Sequence, residues 1–134
     1  MASPSVVRPS ESLGRYLTGK KHFSSLKGEV KFKAFMPPPD RLLSVYRIDG
    51  LSLYEVWDIG ENNVVLAMSP PKTLYGVADI KAGIVERQSL KIEADDIPLR
   101  HANIVGWPEQ ESEQMLLAQV LAAEARLILK HQSP

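Results

Sequence analysis

The sequence predicts an α+β fold: a single domain in which a four- to five-stranded, mainly antiparallel sheet is covered by a long C-terminal helix. Three observations carry that expectation. Short segments that read as strands come in clusters, with helices of unequal length between them, rather than in strict strand–helix alternation. The longest helical pattern, Glu109 to about His131, follows an apolar run, His101-Ala102-Asn103-Ile104-Val105-Gly106-Trp107, that stops at Pro108. The composition, 44% hydrophobic and 24% charged over 134 residues, is that of a globular chain long enough to bury a core without covalent staples.

The first 25 residues read as a flexible basic arm. Met1 to Ser12 is rich in Ser and Pro, and Ser12 to Gly19 offers at most one helical turn. Residues 26–134 then form the single α+β domain. Order begins near Gly28. Glu29 to Phe35 alternates, with Val30, Phe32 and Ala34 on one side, and reads as a strand with one wet face. Pro37-Pro38-Pro39 ends it, because prolines have no amide to give a ladder.

Leu42 to Ile48 is the second strand, closed by the turn pair Asp49-Gly50. Ser52 and Glu55 have capping-box spacing and open a short helix, Leu53 to Ile59, with Gly60 as its left-handed stop. Glu61-Asn62-Asn63 turns the chain into Val64 to Met68, an apolar run suited to a buried strand. Ser69 to Lys72 is a loop. Val77, Ile80, Ile84 and Val85 have helical spacing within residues 73–89, but Gly76 and Gly83 each weaken a helix by ~1 kcal/mol, so a broken short helix is expected. Leu90 to Ala94 alternates as a strand, Asp95 to Pro98 turns, and His101 to Trp107 is the last strand.

In the terminal helix, Leu116, Leu117, Val120, Leu121, Ala125, Leu127 and Ile128 make a broad apolar stripe, opposite Ser112, Gln119, Arg126 and Lys130. Acids crowd its first turns and Arg126, Lys130 and His131 its last, which suits the helix dipole. Such a stripe covers a sheet; its width also suits a homodimer seam.

Sixteen basic and sixteen acidic side chains give zero net charge, which argues against a whole-domain nucleic-acid surface. The charge is nevertheless uneven. Arg8, Arg15, Lys20, Lys21, Lys27, Lys31 and Lys33 face only Glu11 and Glu29 in residues 1–33, while residues 86–124 are rich in acids. Lys20, Lys21 and Lys27 are thus candidate binding residues for a protein partner, and the basic arm is the one route to nucleic acid. The absence of cysteine excludes disulfides, thiolate nucleophiles and Cys-based metal sites, and agrees with a cytoplasmic protein. No apolar run approaches the ~18 residues of a membrane helix, and the N-terminus lacks the apolar segment of a secretory signal.

Chemistry-bearing residues are few. Strand alternation puts His101, Asn103 and Val105 on one face and Ala102, Ile104 and Gly106 on the other. His101 is the candidate acid/base, with Asn103 as positioner. Arg47, on the strand face opposite Tyr46, would hold an anion or pair with a carboxylate. Asp95-Asp96 near His101 is too weak a pattern for a metal site. Trp107 and Trp57 are large amphipathic side chains suited to a core edge, and Trp107 is also a candidate binding residue. There is no Gly-rich phosphate loop, nucleophile elbow or zinc motif, and no cofactor is expected. A triad assembles in space rather than in sequence, and with three histidines one would have to use His101. Two functions follow as expectations. The first is a small cytoplasmic accessory, inhibitor or immunity-type subunit that binds a macromolecular partner. The second is a small hydrolase or transferase acting on an anionic substrate through His101, Asn103 and Arg47.

Overall fold

The computed structural model describes residues 6–130 and places Ser12–Leu17 (β1) inside a sheet. Leu13, Arg15 and Leu17 point to one face and Gly14 and Tyr16 to the other, with Leu13 and Leu17 fully buried. A strand buried on both faces loses the polar–apolar alternation that marks a half-exposed one, so this segment does not look like a strand in the sequence. The expected arm over residues 1–25 is corrected accordingly. Residues 1–5 lie outside the described residues. Pro9 and Glu11 already accept hydrogen bonds from the Gly83 and Ala82 amides, and residues 12–24 are built into the fold.

The other strands are Phe23–Ser24 (β2), Glu29–Val30 (β3), Leu43–Arg47 (β4), Gly76–Lys81 (β5), Lys91–Ala94 (β6), His101–Val105 (β7) and Arg126–Leu129 (β8). Among the described residues, six of them form one sheet in the order β6-β7-β4-β1-β5-β8, each neighbouring pair antiparallel. β2 and β3 pair separately as a small hairpin. The sheet thus has more strands than the four or five expected: β4, β6 and β7 were expected, and β1, β5 and β8 join them.

Among the described residues three α-helices flank the sheet: Leu53–Ile59 (α1), Ala82–Arg87 (α2) and Glu111–Glu124 (α3). One core gathers Leu13, Leu43, Val45, Ile80 and Ile104 from the sheet with Ala118, Leu121 and Ala122 of α3, Val85 of α2 and Phe35. A second core, on the other face, gathers Tyr16, Tyr46, Ile48 and Val77 with Val56 of α1 and Val65. Helices therefore lie on both faces. Among the described residues, no helix is long and apolar enough to cross a membrane.

Several local expectations change. The alternation of residues 29–35 yields only the two residues of β3, and Phe32–Phe35 forms a 3-10 turn that buries Ala34 and Phe35. Gly60 is right-handed, with φ −61°, and leads into a π-helical turn, Gly60–Val65, where a strand over Val64 to Met68 was expected. Gly60 is needed for space: a Cβ there would stand 2.7 Å from both Leu74 and Tyr16. Residues 73–89 divide into β5 and α2, so Gly76 serves the sheet; a Cβ on it would collide with the Ile128 carbonyl of β8. α3 stops at Glu124, and Ala125 turns extended. β8 follows and pairs along β5, so Leu127 packs in the first core and Ile128 against the second. The helical stripe expected to run on to His131 is split between α3 and β8, and His131 lies outside the described residues.

Candidate functional site

Two polar regions stand out, on different elements. The first surrounds the β2–β3 hairpin. Lys20–His22 forms a 3-10 turn, and the His22 carbonyl accepts from the Lys31 amide at 2.8 Å, which fixes the start of the hairpin to its return. Gly28, with φ +66°, occupies the turn where an L side chain would be strained. This geometry holds Lys20, Lys21, Lys27, Lys31 and Lys33 on the surface, with Lys72 close enough to act on His22. Among the described residues none of these lysines forms a salt bridge. Two grooves flank the hairpin. One, of about 510 Å³, lies against α3 and is lined by Lys21, Lys31, Lys33, Gln119 and Ala122. The other, of about 650 Å³, is lined by Lys20, Lys31, Leu74, Leu129 and the ring pair Phe23 and Tyr75, whose centroids are 5.6 Å apart. Lys31 borders both.

His22 marks the electrostatics of this region. Burial, and then the cations Arg15, Lys72 and Lys33, lower its imidazole below the usual value. Its Nδ1 is buried without a hydrogen-bond partner among the described residues. Arg15 is not part of the free surface. Its Nε donates to the Ala34 carbonyl at 2.8 Å and its Nη1 to the Ser44 carbonyl at 3.0 Å, and burial lowers its pKa to about 10. It bridges β1 to β4 beyond their two registered pairs, Leu13 with Arg47 and Gly14 with Tyr46.

The second region lies on the same sheet face as the second core, along β4 and β7. The β4–β7 register sets Ser44 opposite Asn103 and Tyr46 opposite His101. The expected alternation of β7 holds: Ala102 and Ile104 are fully buried, while His101, Asn103 and Val105 are half-buried on the other face. His101 Nε2 is 2.7 Å from Ser44 Oγ, and His101 Nδ1 is 2.8 Å from Asp95 Oδ1. The Tyr46 ring meets the imidazole edge-on at 5.3 Å. Asp95 Oδ1 also accepts from the Ile97 amide at 3.1 Å. Burial raises the Asp95 carboxyl, but the hydrogen bonds from His101 and Ile97 outweigh it and hold the group below its usual range. An ionised carboxylate only accepts, so Nδ1 carries a proton, and in the neutral imidazole Nε2 is then left as acceptor for the Ser44 hydroxyl.

The structure places His101 and Asn103 on one face and sets two other candidates elsewhere. Arg47 is buried on the opposite sheet face, where Nε and Nη2 grip both oxygens of Glu11, the latter contact at 3.0 Å. It is a structural pair and not an anion site beside His101. Trp107 is only 5% exposed, and its indole N–H donates to the Ile104 carbonyl at 3.0 Å. It closes the core at the end of β7. Ser44 and Asp95 are the residues the sequence did not single out for this role. Asp95 lay beside His101 in the chain, but Ser44 arrives through a strand register that periodicity alone does not encode. Among the described residues no three His, Asp or Glu side chains stand together as a metal site. Compared with family models, with curated proteins and with solved structures, the chain matches none.

Proposed function

We propose that this chain is a small cytoplasmic accessory, inhibitor or immunity-type subunit that binds an acidic protein partner through the β2–β3 hairpin. The observation that carries the reading is the set of exposed lysines around two grooves, none of them paired with a carboxylate among the described residues. Surface charges are normally interspersed with opposite ones, which limits self-repulsion. Here Glu29 is the lone acid in the hairpin. The apolar lining from Phe23, Leu74, Tyr75 and Leu129 favours a partner that brings apolar or aromatic side chains with its carboxylates, rather than a bare polyanion. Leu26, at the hairpin tip and 96% exposed, adds a further apolar contact. A homodimer through α3 would have to be built on Leu116 and Val120, the large apolar side chains that helix leaves exposed.

The test is capture from extract of the native cell by the full-length chain and by a variant carrying Lys20→Glu, Lys21→Glu and Lys27→Glu. A protein retained at 0.1 M salt, lost at 1 M and absent from the variant is the expected result, because the screening length falls from ~10 to ~3 Å over that range. Nuclease treatment should leave the captured protein in place. Equal capture by both chains, or loss on nuclease treatment, overturns the reading.

A further inference from the structure

We propose that Ser44, His101 and Asp95 form a nucleophile–base–acid chain that cleaves esters of apolar acyl groups by way of an acyl-Ser44 intermediate. This site lies on β4, β7 and the loop before β7, and it does not rest on the binding role of the hairpin.

The geometry supplies each part of the chain. Ser44 Oγ stands 2.7 Å from His101 Nε2, within the reach a general base requires, and donates to it when the imidazole is neutral. The other ring nitrogen donates to Asp95 at 2.8 Å, which fixes the tautomer and supports the imidazolium when it forms. Asp95 is itself aimed by the Ile97 amide. The loop carrying it is tied down on three sides: the Asp96 amide donates to the His101 carbonyl at 3.0 Å, the His101 amide to the Pro98 carbonyl at 2.9 Å, and the Arg100 amide to Asp96 Oδ1 at 2.7 Å. Asp96 and Arg100 have φ +57° and +74°, conformations that cost side-chain-bearing residues energy and recur where a site must be aimed. Ser44 is fixed from below by Arg15, which holds its carbonyl.

Asn103 completes the arrangement. It stands directly opposite Ser44 in the strand register and on the same face. Its side-chain amide makes no hydrogen bond with the described residues and is placed to donate to an oxyanion beside Ser44. Ile97 and Leu99, 78% and 54% exposed on the loop that carries Asp95, offer apolar surface for the acyl group.

In the first half-reaction Ser44 Oγ bonds to the acyl carbon and its proton passes to His101 Nε2. The tetrahedral adduct then breaks its bond to the leaving alcohol, which takes that proton from His101. Water repeats the attack with His101 as base, and collapse returns the Ser44 hydroxyl and releases the carboxylic acid. Ser44 and His101 are the catalytic residues; Asp95 is a positioning residue that acts through His101.

The full-length chain would be treated with a fluorophosphonate probe and, separately, with p-nitrophenyl butyrate. The expected result is a single fluorophosphonate adduct mapped to Ser44 by peptide mass, absent in Ser44→Ala. In His101→Ala the labelling rate should fall by ~10²–10⁴, the range general base groups supply. Asp95→Asn should lower kcat for the butyrate ester while KM holds, which a merely structural role would not do. Folding of each variant is read from its thermal midpoint, and His101→Gln replaces the alanine variant if that one does not fold. A folded wild-type chain that takes no probe at Ser44, or a folded His101 variant labelled at the wild-type rate, overturns the proposal.

Discussion

The hairpin surface and the Ser44–His101 face handle polar groups in opposite ways. Around the hairpin the charges come from one stretch of chain, residues 20–33, and they are exposed, with no salt bridge to a carboxylate among the described residues. On the sheet face Ser44, His101 and Asp95 come from β4, β7 and the loop before β7, and they are linked to one another. Unpaired exposed cations are hydrated at little cost and act at a distance on whatever approaches. A linked hydrogen-bond chain acts only at contact, but its geometry is held by the strands beneath. The first arrangement suits recognition and the second suits chemistry.

The largest expected effect concerns that mounting. Ile104 lies fully buried on the strand that carries His101, so Ile104→Ala should cost ~2–5 kcal/mol in a urea melt. Leu26→Ala at the hairpin tip should change stability by under ~0.5 kcal/mol. Similar values for the two would erase the distinction between a strand-mounted and a loop-mounted surface.

Next comes charge. Lys31 borders both grooves, whereas Lys27 sits in the hairpin turn. Lys31→Glu should slow association with the captured partner by on the order of tenfold at low salt, and Lys27→Glu by less, with dissociation little changed in either. Stopped-flow or surface-plasmon measurements that put the whole effect in the off-rate would show that the lysines make contact bonds and do not steer.

A smaller effect is expected from cutting the hydrogen-bond chain. Ser44→Ala removes one partner of a half-buried bond and should cost about 1 kcal/mol. A cost above ~3 kcal/mol would mean that Ser44 braces the sheet.

The smallest effect is that of pH at His22. Burial and the cations around it lower its folded-state pKa below 6.5. As pH falls below ~6.5 the unfolded chain takes up this proton before the folded one does, so its contribution to stability is present above that value and is lost as pH falls toward the folded pKa. His22→Gln should flatten the fall in thermal midpoint between pH 7 and pH 5. An unchanged slope would remove His22 from the account of the basic surface.

What could be read from the sequence follows from how local its causes are. The capping box of Ser52 and Glu55 sets α1 at Leu53–Ile59 through side-chain bonds three residues apart, and the helix has the expected bounds. The alternation in β7 survives because one face is buried and the other is not. β1 was hidden because both its faces are covered, and Gly14 and Arg15 carry no strand signature. β8 was hidden because nothing local stops α3: no glycine or proline stands at Ala125, and the open edge of β5 captures the chain instead. The same limit applies to function. Lysines close in sequence could be named in advance, whereas the partnership of Ser44 with His101 exists only through the pairing of β4 with β7.

The position of β1 inside the sheet also sets the order of assembly. Among the described residues it precedes every other strand of the sheet in chain order, yet Leu13 aligns with Ile80 on one side and Arg47 on the other. At translation rates of about 5–20 residues per second, Leu13 and Leu17 wait on the order of 3–13 s after synthesis before β5 exists to receive them. During that interval a chaperone can hold the nascent segment and another chain can capture it. Pairing across so long a stretch of chain makes the sheet slow to close. The yield of native protein should therefore respond to synthesis rate and chaperone supply more than to any single surface residue.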